Sequence, residues 1–354
     1  MTPFIHGSIL PHSDSAAPLF GHFACGYSPR GANGPTAIPC LDPAMAAFET
    51  VTMEGIGLTR DDSHQTGGPR LILLRYGKQE ARNATIPAIQ KVTAHFDVKG
   101  VQPASPYCLH TEFAGKPRRL DSPFLQGLPF LQTSHRNGVP ELWTSVSWAK
   151  EFGQFLFRLV ENSESPDAIE IHPPFTCSIR SIDEFLNVYE VFEASVLERF
   201  PDCEFLVENR SGSNHPSPFL VSRVDSIVAL GQALATRNLR LRIALDLPQL
   251  FTATWGSKHS VGMEGLDLIK RLESIREQIR SLHLWGRGPN GGAHSGGLDG
   301  LFDAGTGAKG ACLSELRRMF NDGCPDRQLV LEVTRRGDME DILRDLEAAG
   351  FEIR

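Results

Sequence analysis

Phe205-Leu-Val-Glu208-Asn209, Ile243-Ala-Leu-Asp246-Leu247, Ser281-Leu-His283-Leu284 and Leu329-Val-Leu-Glu332-Val333 share one design, an apolar run that ends on a single ionisable residue. Each has the length and composition of a strand buried on both faces, as in a parallel sheet. Segments of helical period separate them, at Leu220–Thr236, Leu266–Gln278 and Ala311–Phe320, with a last one at Asp338–Ala349. Strands alternating with helices in this way belong to an α/β fold with a parallel sheet.

The same unit extends towards the N-terminus. Tyr107-Cys-Leu-His110-Thr111 and Ala168-Ile-Glu-Ile-His172-Pro173 repeat the strand pattern, and a helix fits Val146–Val160. Ser181 and Glu184 form a capping box ahead of Phe185, Val188, Val191, Phe192 and Val196, which recur at helical spacing. Asp42-Pro43 reads as an N-cap and first helical residue of a helix through Phe48 and Met53. Eight strands are expected in all: His22–Tyr27, Leu71–Tyr76, Tyr107–Phe113, Ala168–Pro173, Glu204–Asn209, Leu241–Leu247, Arg280–Trp285 and Gln328–Val333. Eight β/α units predict a closed (β/α)₈ TIM barrel, in one domain over residues 18–354 behind an irregular N-terminal segment, residues 1–17. The polar or Gly/Pro-rich segments 28–40, 58–68, 114–140 and 286–310 are expected loops.

Composition narrows the function classes. The 354 residues carry 35 Lys and Arg against 42 Asp and Glu, a formal charge of −7. That balance disfavours a broad nucleic-acid surface, whose affinity comes from cations neutralising phosphates, although a local basic cleft stays open. No run approaches the roughly 20 apolar residues that span a bilayer. Residues 1–16 lack the basic and apolar regions of a secretory signal, and a cytoplasmic location is expected. The seven cysteines are scattered without a CxxC pair, as reduced thiols are. Oligomeric state is not encoded in any of these features.

In a TIM barrel the active site lies at the C-terminal mouth, so an ionisable residue at the end of a strand is informative. Here six strands end on one: His110, His172, Glu208, Asp246, His283 and Glu332. Taken singly, each reads more simply as a hydrogen-bonded core residue. Six in consecutive units would strand several charges in apolar surroundings, and a shared divalent cation answers that cost. Imidazole and carboxylate ligands suit Zn, Mn, Fe or Co, and the absence of thiolates at these ends disfavours a structural zinc site.

With these strand ends and their order, the chain from about Phe20 onwards resembles the xylose isomerase-like superfamily of TIM barrels. That superfamily contains endonuclease IV, sugar isomerases and epimerases, and iron-dependent peptide-modifying oxygenases. The resemblance implies one cation held by His110, His172 and Glu208 and a second held by Asp246, His283 and Glu332, with Glu208 bridging; the cofactor is one or two Zn, Mn or Fe ions. It departs at the third metal of endonuclease IV, where this chain has Gln249 and, in Gly292-Ala293-His294, only His294. Val207-Glu208-Asn209-Arg210-Ser211 and His283-Leu284-Trp285-Gly286 resemble the oxygenases.

Arg210, Arg287, Arg335 and Arg336 follow strand ends and can grip a phosphate or carboxylate, or simply pair with loop carboxylates. Trp255 and Trp285 can stack on a base or sugar ring, or anchor loops, and Lys258-His259 lies nearby. Gly305-Thr-Gly-Ala-Lys309-Gly lacks phosphate-loop spacing. His6, His12, His64, His95 and His135 read as ordinary loop residues, and the sequon at Asn83 carries no weight without secretion.

Four functions fit. They are an endonuclease IV-like hydrolase of a phosphorylated or anionic substrate; a sugar or sugar-phosphate isomerase or epimerase with Glu208 and Glu332 as its acid/base pair; a non-haem iron oxygenase acting on a peptide; and a non-catalytic metal-binding barrel. The expected partner is a small anionic or sugar-like molecule, with nucleic acid disfavoured by the net charge.

Overall fold

The computed structural model describes residues 68–76, 89–103, 106–288, 292–324 and 326–354. All of them belong to one compact unit, residues 63–354. Eight parallel strands form the barrel: β1 (Arg70–Tyr76), β2 (Gln90–Ala94), β3 (Tyr107–Thr111), β4 (Ala168–Ile171), β5 (Glu204–Glu208), β6 (Leu241–Asp246), β7 (Ile279–Leu284) and β8 (Arg327–Leu331). Each pairs with the next, and β8 returns to β1 with Leu73 opposite Leu329, which closes the cylinder. The short strand Glu352–Ile353 adds to the outer side of β1.

The barrel is as expected, with one of its staves assigned differently. Gln90–Ala94, which reads as no strand, is the second stave. Its Gln-Lys-Val-Thr-Ala sequence is too polar to show the apolar run of its neighbours. The run His22–Tyr27 is not needed for closure, and it lies outside the described residues. So do the helix from Asp42, the segments 1–17 and 28–40, His6, His12, His64 and Asn83.

The helices are α1 (Pro129–Thr133), α2 (Val146–Leu159), α3 (Ile182–Arg199), α4 (Val224–Thr236), α5 (Leu247–Trp255), α6 (Glu264–Arg271), α7 (Ala308–Phe320) and α8 (Arg336–Ala348). α3 starts where its capping residue dictates, since Ser181 Oγ accepts the N–H of Glu184 at 3.1 Å. Its inner face then buries Phe185, Leu186, Tyr189, Phe192 and Val196, each contributing roughly 1.5–3 kcal/mol by leaving water. The helical period over Leu266–Gln278 resolves into α6 followed by a 3₁₀ segment, Leu272–Gln278.

α5, absent from the sequence reading, follows β6 without any connection. Asp246 ends the strand and caps the helix, with Oδ1 accepting the N–H of Gln249 at 2.8 Å. Pro248 sits in the first turn, where its missing N–H costs nothing.

Five cysteines are free among the described residues. No described helix is long and apolar enough to cross a membrane.

Candidate metal centre

The strand period of two decides which side chains enter the barrel. Glu170 and His172 are two residues apart on β4 and its end, so they share a face, and both are fully buried. In register, His110 on β3 lies opposite Glu170 on β4, and Asp246 on β6 lies opposite His283 on β7. Donor atoms from neighbouring strands thereby meet on the barrel axis. His110, Glu170, His172 and Glu208 form one group whose ligand atoms all lie within 4.8 Å of one another, and Glu208, His283 and Glu332 form another.

The first group has the tighter geometry. His110 Nε2 and His172 Nε2 are 3.2 Å apart. Glu208 Oε2 stands 3.4 Å from His172 Nε2 and 3.6 Å from His110 Nε2. Atoms held about 2.0–2.1 Å from a shared cation at tetrahedral angles are about 3.3 Å from each other, so these spacings fit an ion at their centre. His172 Nδ1 lies 3.2 Å from the carbonyl of Glu112, which can only accept. In the neutral ring this puts the proton on Nδ1 and a lone pair on Nε2, aimed at another ring nitrogen and a carboxylate. That lone pair can meet a cation or an N–H of His110, and the Nδ1 contact with a carbonyl is the outer hydrogen bond expected of a metal-bound histidine.

The shell behind it is rigid. The carboxylate of Glu112 accepts from Ala114 N–H at 2.9 Å, Phe96 N–H at 3.2 Å and Arg118 Nε at 3.0 Å. Trp143 Nε1 donates to the carbonyl of His172 at 2.7 Å. Trp143 holds φ at +61°, a region bulky residues avoid, and its ring is locked among Trp148, Phe152, Phe185, Tyr189 and Phe192.

The second group contains a residue that sequence reasoning missed. Lys91, from β2, is buried, with Nζ 2.8 Å from Glu170 Oε1, 3.3 Å from Glu332 Oε1 and 4.0 Å from Glu208 Oε2. Burial opposes its charge, but Glu170, Glu332 and Glu208 together hold the ammonium well above the usual lysine range. His283 Nε2 is 3.1 Å from Glu170 Oε2, and its Nδ1 is 3.4 Å from Glu208 Oε2. Both Glu170 oxygens and both His283 nitrogens are buried within ion-pair distance yet lack hydrogen-bond alignment.

The carboxylates are tuned apart. Burial pushes Glu332 up, but Lys91 and His283 outweigh it and hold the carboxyl far below the usual range. Glu208 is likewise opposed by burial and held well down by the imidazoles of His110, His172 and His283 around it. For His283, burial and Lys91 disfavour the proton, and Glu170 with Glu208 prevail, raising it well above the ordinary value. His110 goes the other way, lowered to about 4 by burial and Lys91 against the pull of Glu208.

Asp246 stands apart from both groups. Its Oδ1 caps α5 and its Oδ2 accepts the indole N–H of Trp285 at 3.0 Å. Burial, reinforced by Glu208 and Glu332, raises its carboxyl well above the ordinary value. The strand-end pattern reads it as a ligand; the direct start of α5 also makes it a capping residue. Gln249 is turned away as well, accepting the backbone N–H of Ser211 at 3.0 Å.

The remaining residues singled out from sequence divide around the mouth. Arg210 is at the site, with Nη1 3.2 Å from Glu208 Oε1 and its guanidinium over the ring of Phe113. Its Nε is buried with no partner. His294 rests against Trp285, with ring centroids 4.4 Å apart, and its Nδ1 lies 2.9 Å from the carbonyl of Glu332.

Arg287 is instead structural, bonded to the carbonyl of His259 and to Thr252 Oγ1. Arg335 is exposed at the start of α8, and Arg336 pairs with Glu340. Trp255 is half-buried between Phe251 and His259, Trp285 is buried, and Lys258 is exposed. Lys309 pairs with Asp299 and Asp345 and so cradles no phosphate.

His95, read as a loop residue, follows β2 directly and its ring packs edge-on against Phe113 and His110. His135 is exposed in a small hairpin.

Fold and site together define a (β/α)₈ barrel with a buried His/Glu cluster at its C-terminal mouth that can hold a metal ion. The closed eight-stranded parallel barrel is the fold that the xylose isomerase-like resemblance implies. Comparison with family models finds no match, and comparison with curated proteins finds none.

Among solved structures, a xylose isomerase domain protein from Alicyclobacillus acidocaldarius is 13% identical over 75% of this chain and 79% of its own, with a TM-score of 0.33. An uncharacterised protein from Parabacteroides distasonis is 16% identical with a TM-score of 0.32, the match covering 58% of this chain and 65% of that one, just under two thirds of its length. An endo-1,4-beta-xylanase from Penicillium canescens is 9% identical over 63% of this chain and 62% of its own, with a TM-score of 0.31.

Proposed function

We propose that the protein is a divalent-cation-dependent enzyme that hydrolyses a small anionic, phosphorylated substrate. The observation that carries this is the convergence of His110 Nε2, His172 Nε2 and Glu208 Oε2, with His172 oriented by the Glu112 carbonyl. A Zn or Mn ion held by His110, His172 and Glu208 would supply Lewis acidity and lower the pKa of a bound water. Arg210 brings a guanidinium beside Glu208, with a buried Nε in want of an acceptor, and so suits a substrate oxyanion. Phe113 fixes the plane of that guanidinium from below.

The isomerase reading is less well supported. It needs Glu332 to take a proton from carbon, whereas Lys91 holds Glu332 ionised and weakly basic. One observation favours a second reading: two histidines and one carboxylate form the facial set of non-haem iron oxygenases.

The test is elemental analysis of protein made without added metal, followed by assay against a panel of phosphate esters and nucleotides. Zinc or manganese with phosphate release is the expected result. Iron, with substrate-dependent oxygen consumption, transfers the conclusion to the second reading. Zinc or manganese with no ester cleaved sinks the hydrolase.

A further inference from the structure

The resemblance implies two cations, and the chain itself fills the second position. We propose that Lys91 is a resident cation that replaces the second metal, making the centre mononuclear. This rests on the reading of His110, His172 and Glu208 as the cation site.

The argument is one of shared oxygens. A second ion at the Glu208, His283 and Glu332 group would have to use Glu208 Oε2 and Glu332 Oε1, the atoms nearest His283 Nδ1 at 3.4 and 3.6 Å. Lys91 Nζ stands 3.3 Å from that same Glu332 oxygen and 4.0 Å from that same Glu208 oxygen, and Glu170 fixes it from the far side at 2.8 Å. An ammonium so placed repels a dication at short range among fully buried side chains.

The position is built for this role. Lys91 is opposite Tyr76 on β1 and Cys108 on β3, in the interior of three paired strands, so its chain has no route to solvent. Its ammonium lies 5.4 Å from the centre of the Tyr76 ring, which favours a cation over its face. An ammonium beside Glu170, Glu332 and Glu208 balances negative charge that would otherwise be buried unpaired. Unlike a metal, it cannot be lost to a chelator, so one half of the charge balance is covalently secured.

The experiment is a manganese titration of the chelator-stripped full chain and of Lys91→Ala, read by elemental stoichiometry and electron paramagnetic resonance. The expected result is one ion with an isolated six-line signal in the natural protein and two exchange-coupled ions in Lys91→Ala. Two ions in the natural protein overturn the proposal, as does a folded Lys91→Ala that still binds one. No manganese in the natural protein instead removes the parent reading, and this one with it.

Removing Lys91 strands three buried carboxylates. Should that variant fail to fold, Glu332→Gln takes its place. With Lys91 as the partner of Glu332, manganese affinity should stay within about threefold of the natural protein. A loss above about tenfold makes Glu332 a metal ligand and refutes the proposal.

Discussion

At the N-terminal end of the barrel Arg327 is as deeply buried as His110 at the mouth, yet the two lie in contrasting surroundings. The guanidinium of Arg327 donates to the carbonyls of Ile279, Phe320 and Arg276 and to Asp322 Oδ2 at 2.7 Å, and its plane lies over Phe320. One cation there meets acceptors matched to its fork. At the mouth, Glu170 and His283 hold buried polar atoms without aligned partners, and two imidazole nitrogens face each other. Matched charge pins the ends of β7 and β8 together, whereas unmatched charge marks where a ligand completes the structure.

The largest effect should come from the mouth. His172→Ala should lower manganese or zinc affinity by more than about 100-fold in a competition titration, since even outer-shell changes at such sites cost about 10–100-fold. Affinity within threefold of the natural protein would make the mouth one more structural network and erase the contrast.

Next is Arg327→Met, which takes the 2.7 Å partner from Asp322 and leaves it only the looser Arg276 contact at 3.9 Å and the N–H of Cys324. Urea unfolding should show a loss of about 3–5 kcal/mol. Metal affinity of the folded fraction should not change. A variant that keeps its stability but loses metal would reverse the division of labour between the ends.

The smallest effect is in the pH dependence. Burial pushes the Asp322 carboxyl up, but the hydrogen bond from Arg327 outweighs it and holds it below the usual range. A folded-state value below the unfolded one adds stability that is present above about pH 4 and is lost as pH falls through the folded value. Asp322→Asn should therefore flatten the acid limb of the stability curve, measured on metal-free protein. An unchanged limb would show that Arg327 is held by its carbonyl contacts alone.

How legible each part was depends on the strand period. The last six staves read clearly because an apolar run that stops on His, Asp or Glu is seldom anything but a buried strand meeting a polar rim. Lys91 escaped because β2 has polar residues at Gln90, Lys91 and Thr93, and its burial depends on neighbours far away in sequence. Glu170 was within reach, because His172 entering the barrel obliges the residue two before it to enter as well. Asp246 has a further part no strand pattern shows: the helix begins on the next residue, and its carboxylate caps it. The pairing of Glu112 with Arg118 and His172 is equally hidden, since it depends on how the loop after β3 folds back.

The join between β6 and α5 also bears on how this barrel could diversify. A segment with no loop offers nowhere to insert residues: any lengthening would separate Asp246 from the turn it caps and release the Trp285 indole together with it. That arc of the rim is therefore a fixed wall. Accommodation of bulkier or differently shaped molecules falls to the rim's longer connections, while the wall keeps the centre in register.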